Sequence, residues 1–150
     1  MSPIEQLELE EAGSVLQDFC HDASREAGWW NDTMTGHDFR EDICAGTMFG
    51  KALVAQKLCL IHSEISEAME GHRKGLMDDK LPHRTSVEVE LADAVIRIAD
   101  LAGALGLDLG GAIAEKLAFN ATRPDHKLEA RKAAGGKAYL PWMPSNFPPC

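Results

Sequence analysis

Apolar residues recur at helical spacing along most of this chain, and signals for β-strands are nearly absent. The pattern therefore favours an all-α fold. It predicts four helices, over about residues 4–27, 47–72, 85–105 and 109–121. In the first helix, four apolar side chains are expected to contact the core: Leu7, Val15, Leu16 and Phe19.

Residues suited to end or begin helices flank these segments. Gly75 follows the second predicted helix, and Gly106 ends the third. Thr85 or Ser86 can cap the third helix, and Asp108 is a natural N-cap for the fourth.

Two acidic pairs lie within the second and third predicted helices, Glu64 with Glu67 and Glu90 with Asp93. Residues three apart are neighbours on one helix face, and the short connection makes the two helices antiparallel neighbours. Four carboxylates would then meet in a partly buried place, which requires compensation. Mg²⁺ or Mn²⁺, which prefer oxygen ligands, would supply it. The alternative is an exposed helix face with i, i+4 salt bridges.

The acids of the third helix belong to a polar stripe that also includes Arg97 and Asp100, opposite an apolar stripe of Leu91, Val95 and Ile98. Asp100 lies seven residues after Asp93, at nearly the same angular position. It is either a fifth acid at the site or a partner for an arginine.

Basic and amide side chains form a second candidate group. Lys116, Asn120 and Arg123 are spaced i, i+4, i+7, so they face one way and suit a phosphate group. Arg73 belongs to another basic group, just past the first acidic pair. Each group read alone is also consistent with a solvated basic patch. Acidic metal ligands together with phosphate-binding cations are what a nucleotide-cleaving site needs.

The loop after the first helix contains adjacent tryptophans, Trp29 and Trp30. Either can stack on a nucleotide base, and either can equally be a core residue.

The chain has 150 residues, which is the size of one domain, and a net charge of −9. This charge argues against a nucleic acid or a membrane as partner. Four cysteines without a C-x-x-C pair, and an acidic start without a signal-peptide pattern, favour a cytoplasmic protein. We expect one domain over 1–150, with its core in about 4–123 and a basic remainder over 124–150 that ends in an extended Pro-rich tail.

Taken together, these motifs resemble those of the MazG-like all-α nucleoside triphosphate pyrophosphohydrolases. That family is marked by E-x-x-E, a variable spacer and E-x-x-D. The matching residues here are Glu64 and Glu67, then Glu90 and Asp93 after a spacer of 22 residues. The K-x-x-x-N-x-x-R segment from Lys116 to Arg123 is similar to the family's phosphate-contact motif. The resemblance covers about residues 28–139.

The resemblance implies four-helix bundle protomers that assemble as homodimers or homotetramers. It implies hydrolysis of a nucleoside triphosphate between the α and β phosphates, with two or three Mg²⁺ or Mn²⁺ ions per site. By motif position, the four acids would be the metal-binding and catalytic residues, and Lys116, Asn120 and Arg123 would hold phosphates. The loop over 28–37 would lie near the base.

The W-W-N-x-T-x-G pattern looks closest to a branch common in bacteria and phages, which includes the phage MazZ enzymes that remove dGTP. On this ground a guanine nucleotide, dGTP or GTP, is the favoured substrate, and a phage enzyme would act in the host cytoplasm. The alternative is a house-cleaning pyrophosphohydrolase that accepts a broad range of dNTPs.

Three other classes of protein stay open. The dipeptides His21-Asp22 and His37-Asp38 occur in HD-type phosphohydrolases, although the chain is short for that site. A ferritin-like carboxylate bundle would need two E-x-x-H motifs, which are not found at the acidic pairs. A non-catalytic, nucleotide-binding helical dimer is the third.

Overall fold

The computed structural model describes residues 2–133, and within that range all regular structure is helical apart from two isolated β-bridges. The all-α prediction is therefore confirmed. The helices are α1 (Pro3–Glu26), α2 (Phe39–Cys44), α3 (Met48–Lys74), α4 (Ser86–Ala104), α5 (Leu109–Thr122) and α6 (Leu128–Ala133), with a 3₁₀ turn at Pro124–His126.

The four long helices α1, α3, α4 and α5 correspond to the four predicted ones. The sequence pattern missed α2 and α6, because six residues are too few to show a helical period. In α2 the start is set by Asp38, whose side chain accepts a hydrogen bond from the backbone N–H of Arg40 at 2.9 Å. The predicted Pro-rich tail lies outside the described residues.

The chain divides into two compact units, residues 1–114 and residues 115–150. In the first unit, α4 packs against both α3 and α1, and α2 packs against α3. The second unit contains, in its described part, the C-terminal half of α5, the 3₁₀ turn and α6. No described helix combines the length and the apolar character needed to cross a membrane.

A tightly organised connection holds α3 and α4 side by side. Gly75 ends α3 in the left-handed conformation, at φ +63°, which glycine adopts without steric cost. The buried Asp78 accepts hydrogen bonds from the backbone N–H groups of Lys80 and Leu81. Of the two caps that the sequence left open, Thr85 is the one that caps α4, in a reciprocal capping box with Glu88. The acidic second half of α3 is thereby brought against the first half of α4.

The hydrophobic core of the first unit centres on Trp30, which is completely buried. Leu101 and Ala104 of α4 are buried beside it. Partly buried apolar side chains complete this cluster: Ile43, Leu53, Ile61 and Leu105.

Several apolar residues predicted to contact the core are exposed instead. Phe19 on α1 is 75% exposed, and Leu7, Val15 and Leu16 are also exposed. The apolar stripe of α4 is exposed too, at Leu91, Val95 and Ile98. The buried positions of α4 are mostly small or polar: Ala94, Ala99, Asp100, Leu101, Ala102 and Ala104. Alanines allow close helix approach, so α4 packs mainly through its small residues and leaves Leu91, Val95 and Ile98 outward.

The two tryptophans allow a matched test of this core. Trp30→Phe removes buried volume and an indole N–H donor, so it should lower the free energy of unfolding by about 2–3 kcal/mol. Trp29 is 71% exposed, and Trp29→Phe should change it by less than about 0.5 kcal/mol. Urea denaturation followed by far-UV circular dichroism measures both. Equal effects of the two substitutions would contradict the assignment of Trp30 to the core.

Candidate metal centre

Three of the four predicted acids meet where α3 packs on α4. Carboxylate oxygens of Glu64, Glu90 and Asp93 all lie within 4.8 Å of one another. Glu64 is buried, and Glu90 is partly buried. Glu67, one turn after Glu64, is exposed and lies outside this group of three.

Burial and the other three acids together raise the pKa of Glu90. Burial raises the pKa of the Glu90 carboxyl, and a hydrogen bond with Glu64 raises it further. The negative charges of Glu67, Glu64 and Asp93 act on the pKa of Glu90 in the same direction. The two acidic pairs therefore interact electrostatically, although only three of the four acids lie in one group.

One cation partly compensates this cluster. The Nε atom of Arg97 lies 2.8 Å from Oε1 of Glu64. Arg97 follows Asp93 by one turn on α4, so it shares the face that carries the acids. Its side chain is 42% exposed, whereas that of Glu64 is 8% exposed. In residues 2–133, no other cation lies within ion-pair distance of the four acids.

The donor chemistry of the cluster fits a hard divalent cation. Three carboxylates offer oxygen atoms close enough to share one ion, and four negative charges face one guanidinium. Clusters of acids on protein surfaces are common without metal, but here Glu64 is buried and the pKa of Glu90 is raised. A raised pKa is typical of a carboxylate that is partly buried among other negative charges.

Asp100 has a different role from either alternative that the sequence left open. It is buried, and its Oδ1 accepts a hydrogen bond from Trp30 Nε1 at 2.8 Å and lies 2.9 Å from Nδ1 of His21. The Nζ atom of Lys57 is 3.9 Å from Oδ2 of Asp100 and 4.1 Å from the centroid of the Trp30 ring. Asp100 thus joins α1, α3, α4 and the loop between α1 and α2 that contains Trp29 and Trp30, here called the tryptophan loop. Within residues 2–133 it pairs with no arginine.

The same contacts correct the prediction for Trp30. Its indole N–H is bonded to Asp100, Lys57 lies over its ring, and its side chain is fully buried. A base cannot stack on Trp30 in this conformation. Trp29 is exposed, and its base-binding role stays a prediction.

Of the predicted phosphate-binding residues, Arg73, Lys116 and Arg123 have other contacts in this structure. Arg73 forms a two-point ion pair with Glu70, at 2.8 and 2.9 Å. Lys116, Asn120 and Arg123 belong to the second unit, so their phosphate role stays a prediction.

Within that unit, the Nζ atom of Lys116 lies 5.1 Å from the ring centroid of Phe119. Among the described residues, Oδ1 of Asn120 is buried without a hydrogen-bond partner. Arg123 follows the end of α5 and pairs with Asp125, with Nη2 2.6 Å from Oδ2. The last member of the predicted row is therefore just off the helix.

A polar cleft of about 440 Å³ opens beside the tryptophan loop. It is lined by Asp22, Arg25, Glu26, Asn31, Asp38 and Arg40. The Arg40 guanidinium beside Asp38 holds the pKa of that carboxyl at about 2, so both remain charged. The lining residues come from α1, from α2 with its cap Asp38, and from the loop between these helices. Only Asn31 lies in residues 28–37, the segment that the sequence placed near a base.

The sequence pattern did not single out Lys57, which lies beside Asp100 and over the Trp30 ring. Burial lowers the pKa of Lys57, and the negative charge of Asp100 opposes that change. Lys57 precedes Glu64 by seven residues and so shares its helix face, which is the signal that could have identified it.

The raised pKa of Glu90 predicts an unusual effect of a substitution. Because the folded state holds the Glu90 proton more tightly than the unfolded state, stability contributed by this group at low pH is lost as the pH rises. Glu90→Gln should therefore stabilise the protein without metal at pH 7, and the gain should vanish below about pH 4.

Glu88 gives the matched control, since its hydrogen bonds to Thr85 lower its pKa. Glu88→Gln should destabilise the protein at pH 7. Urea denaturation in EDTA across this pH range measures both variants. A loss of stability at pH 7 in Glu90→Gln would contradict the crowding of acids.

Comparison of this chain with protein-family models, with curated proteins and with solved structures gives no match. The acid cluster, its arginine and the cleft are therefore the observations on which a functional proposal rests.

Proposed function

We propose that this protein is a metal-dependent nucleoside triphosphate pyrophosphohydrolase. It would cleave a (deoxy)nucleoside triphosphate between the α and β phosphates and release a monophosphate and pyrophosphate. The observation that carries the proposal is the convergence of Glu64, Glu90 and Asp93 within 4.8 Å, on the two helices that hold the acidic motifs.

Glu64, Glu90 and Asp93 would hold Mg²⁺ or Mn²⁺, with Glu67 at the edge for a second or third ion. A divalent cation held by these acids would neutralise phosphate charge and lower the pKa of a water molecule. Burial of Glu64 keeps its carboxylate fixed for this purpose. One of the four acids would also accept a proton from the attacking water.

The remaining substrate contacts follow the charges of the chain. Lys116, Asn120, Arg123 and Arg73 are the proposed phosphate contacts, and Trp29 is the proposed stacking residue. Guanine carries an amino donor and the acceptors O6 and N7. The carboxylates of Asp22 and Glu26 and the guanidinium of Arg25 in the cleft offer the complementary groups, which favours dGTP or GTP.

A substitution of the buried acid tests the reaction class. Glu64→Gln keeps the shape of the side chain but removes a ligand charge, so pyrophosphate release should fall by roughly a hundredfold or more. Glu70→Gln, two turns along α3 and paired only with Arg73 and Lys74 among the described residues, should retain activity. The assay measures pyrophosphate from each canonical (d)NTP with Mg²⁺ or Mn²⁺.

The pattern of substrates separates the alternatives. Activity confined to dGTP and GTP supports the guanine preference, and equal activity on all bases supports a house-cleaning hydrolase. Release of no pyrophosphate from any nucleotide would overturn the catalytic proposal in favour of nucleotide binding alone. Full activity in Glu64→Gln would remove the acid cluster from the mechanism.

We further propose that the protomer assembles with copies of itself as a dimer or tetramer. Support comes from the exposed apolar stripe of α4, Leu91, Val95 and Ile98, and from exposed apolar residues on α3. Rows of large apolar side chains at helical spacing are typical of surfaces that another protein covers.

Val95→Glu introduces a charge in the middle of that stripe and should convert the assembly to a monomer, because burying an unpaired carboxylate is costly. Its side chain is exposed in the protomer, so the helical fold should persist. Gln56→Glu, which adds the same charge at an exposed polar position of α3, is the control. Analytical ultracentrifugation measures the masses, and an unchanged assembly in Val95→Glu would exclude this stripe from the interface.

A further inference from the structure

Arg97 pairs with one of the three carboxylates that would hold a metal ion. Its Nε atom is 2.8 Å from Oε1 of Glu64, the buried member of the group of three acids. Glu90 and Asp93 have no cation within ion-pair distance among residues 2–133. Arg97 is therefore the only positive charge that directly compensates the cluster in the described part of the chain.

Apart from the acid cluster, the nearest carboxylate along α4 already has partners, so Arg97 has few other ion pairs to form inside the protein. Towards the C-terminal end of α4, Asp100 is already bonded to His21 and Trp30 and lies near Lys57. The charge of Arg97 contributes to lowering the pKa of Lys57, so these two cations repel one another. Towards solvent, the Arg97 side chain is 42% exposed and has room to move.

We propose that Arg97 is a built-in counter-ion of the acid cluster, and that Mg²⁺ or Mn²⁺ binding displaces its guanidinium from Glu64. This inference rests on the proposed metal site and adds a residue that competes with the metal for it. A guanidinium and a divalent cation on one carboxylate repel each other strongly in a partly buried place. Metal binding is therefore an exchange of one cation for another.

The exchange has a measurable consequence for affinity. In this exchange, an ion that binds Glu64 displaces Arg97 from it, so the Arg97–Glu64 pair weakens the binding of metal. Removing Arg97 relieves this competition, although it also leaves Glu64 without a partner before metal binds. The variant should be less stable without metal and should bind metal more tightly.

The first experiment titrates Mn²⁺ into the full chain and follows free Mn²⁺ by electron paramagnetic resonance. Arg97→Met should bind Mn²⁺ about tenfold more tightly than the wild type, which corresponds to about 1.4 kcal/mol. Arg84→Met, which removes the same charge from an exposed arginine 3.7 Å from Glu88, should bind within about twofold of the wild type. Equal or weaker binding in Arg97→Met would overturn the proposal.

The second experiment needs no destabilising substitution. In ¹H–¹⁵N spectra of the wild type without metal, the Nε–H of Arg97 should be protected by Glu64, and Arg97→Lys identifies its signal by loss. Saturating Mg²⁺ should shift this signal or broaden it by exchange with water. A signal unchanged at saturation would show that Arg97 stays on Glu64 and would overturn the displacement.

Glu64→Gln separates failure of this inference from failure of the proposed function. If the wild type binds Mn²⁺ no better than Glu64→Gln does, the metal site itself fails and the exchange fails with it. If Mn²⁺ binding depends on Glu64 but is unaffected by Arg97, the metal site stands and only the counter-ion role is wrong.

Discussion

Burial of carboxylates at the packing surfaces of α4 is the constraint on which the rest of this structure depends. Glu64 and Asp100 are both buried, and a buried charge costs several kcal/mol unless it is paired. Asp100 is compensated by Trp30, His21 and Lys57, which come from three other segments of the chain. The tryptophan loop, α1 and α3 are therefore tied to α4 by one carboxylate.

The negative charges at the surfaces of α4 are unevenly neutralised by nearby partners. Asp100 has three partners, Glu64 has Arg97, and Glu90 and Asp93 have no cation within ion-pair distance in residues 2–133. Seven residues of helix, about 10 Å, separate Asp100 from Asp93. The well-paired end holds α3 and α4 in register and so keeps the poorly paired acids together. A rigid frame of this kind is what a metal or substrate site requires.

The sequence predicted the four long helices, Thr85 as one of two possible caps of α4, and the meeting of Glu64, Glu90 and Asp93, because these depend on local spacing. It did not predict which face of α4 is buried. An amphipathic pattern reports two faces, but alanines allow the polar one to pack closely while Leu91, Val95 and Ile98 stay outward. It also could not separate Trp29 from Trp30, since the decisive hydrogen bond joins residues 70 positions apart.

The residues of α4 that pack, those that stay exposed and those that belong to the acid cluster lie next to one another in the sequence. Leu91 is next to Glu90, and Ala94 lies between Asp93 and Val95, so the exposed stripe, the close-packed face and the acid cluster alternate along the sequence. If copies of the chain cover the stripe, they also fix the helix that carries two of the proposed metal ligands. Loss of activity in an α4 variant would then have three physical causes: lost assembly, lost packing or a lost ligand. Sedimentation, unfolding and Mn²⁺ binding respond to these causes separately, which is why activity alone cannot assign a residue of α4.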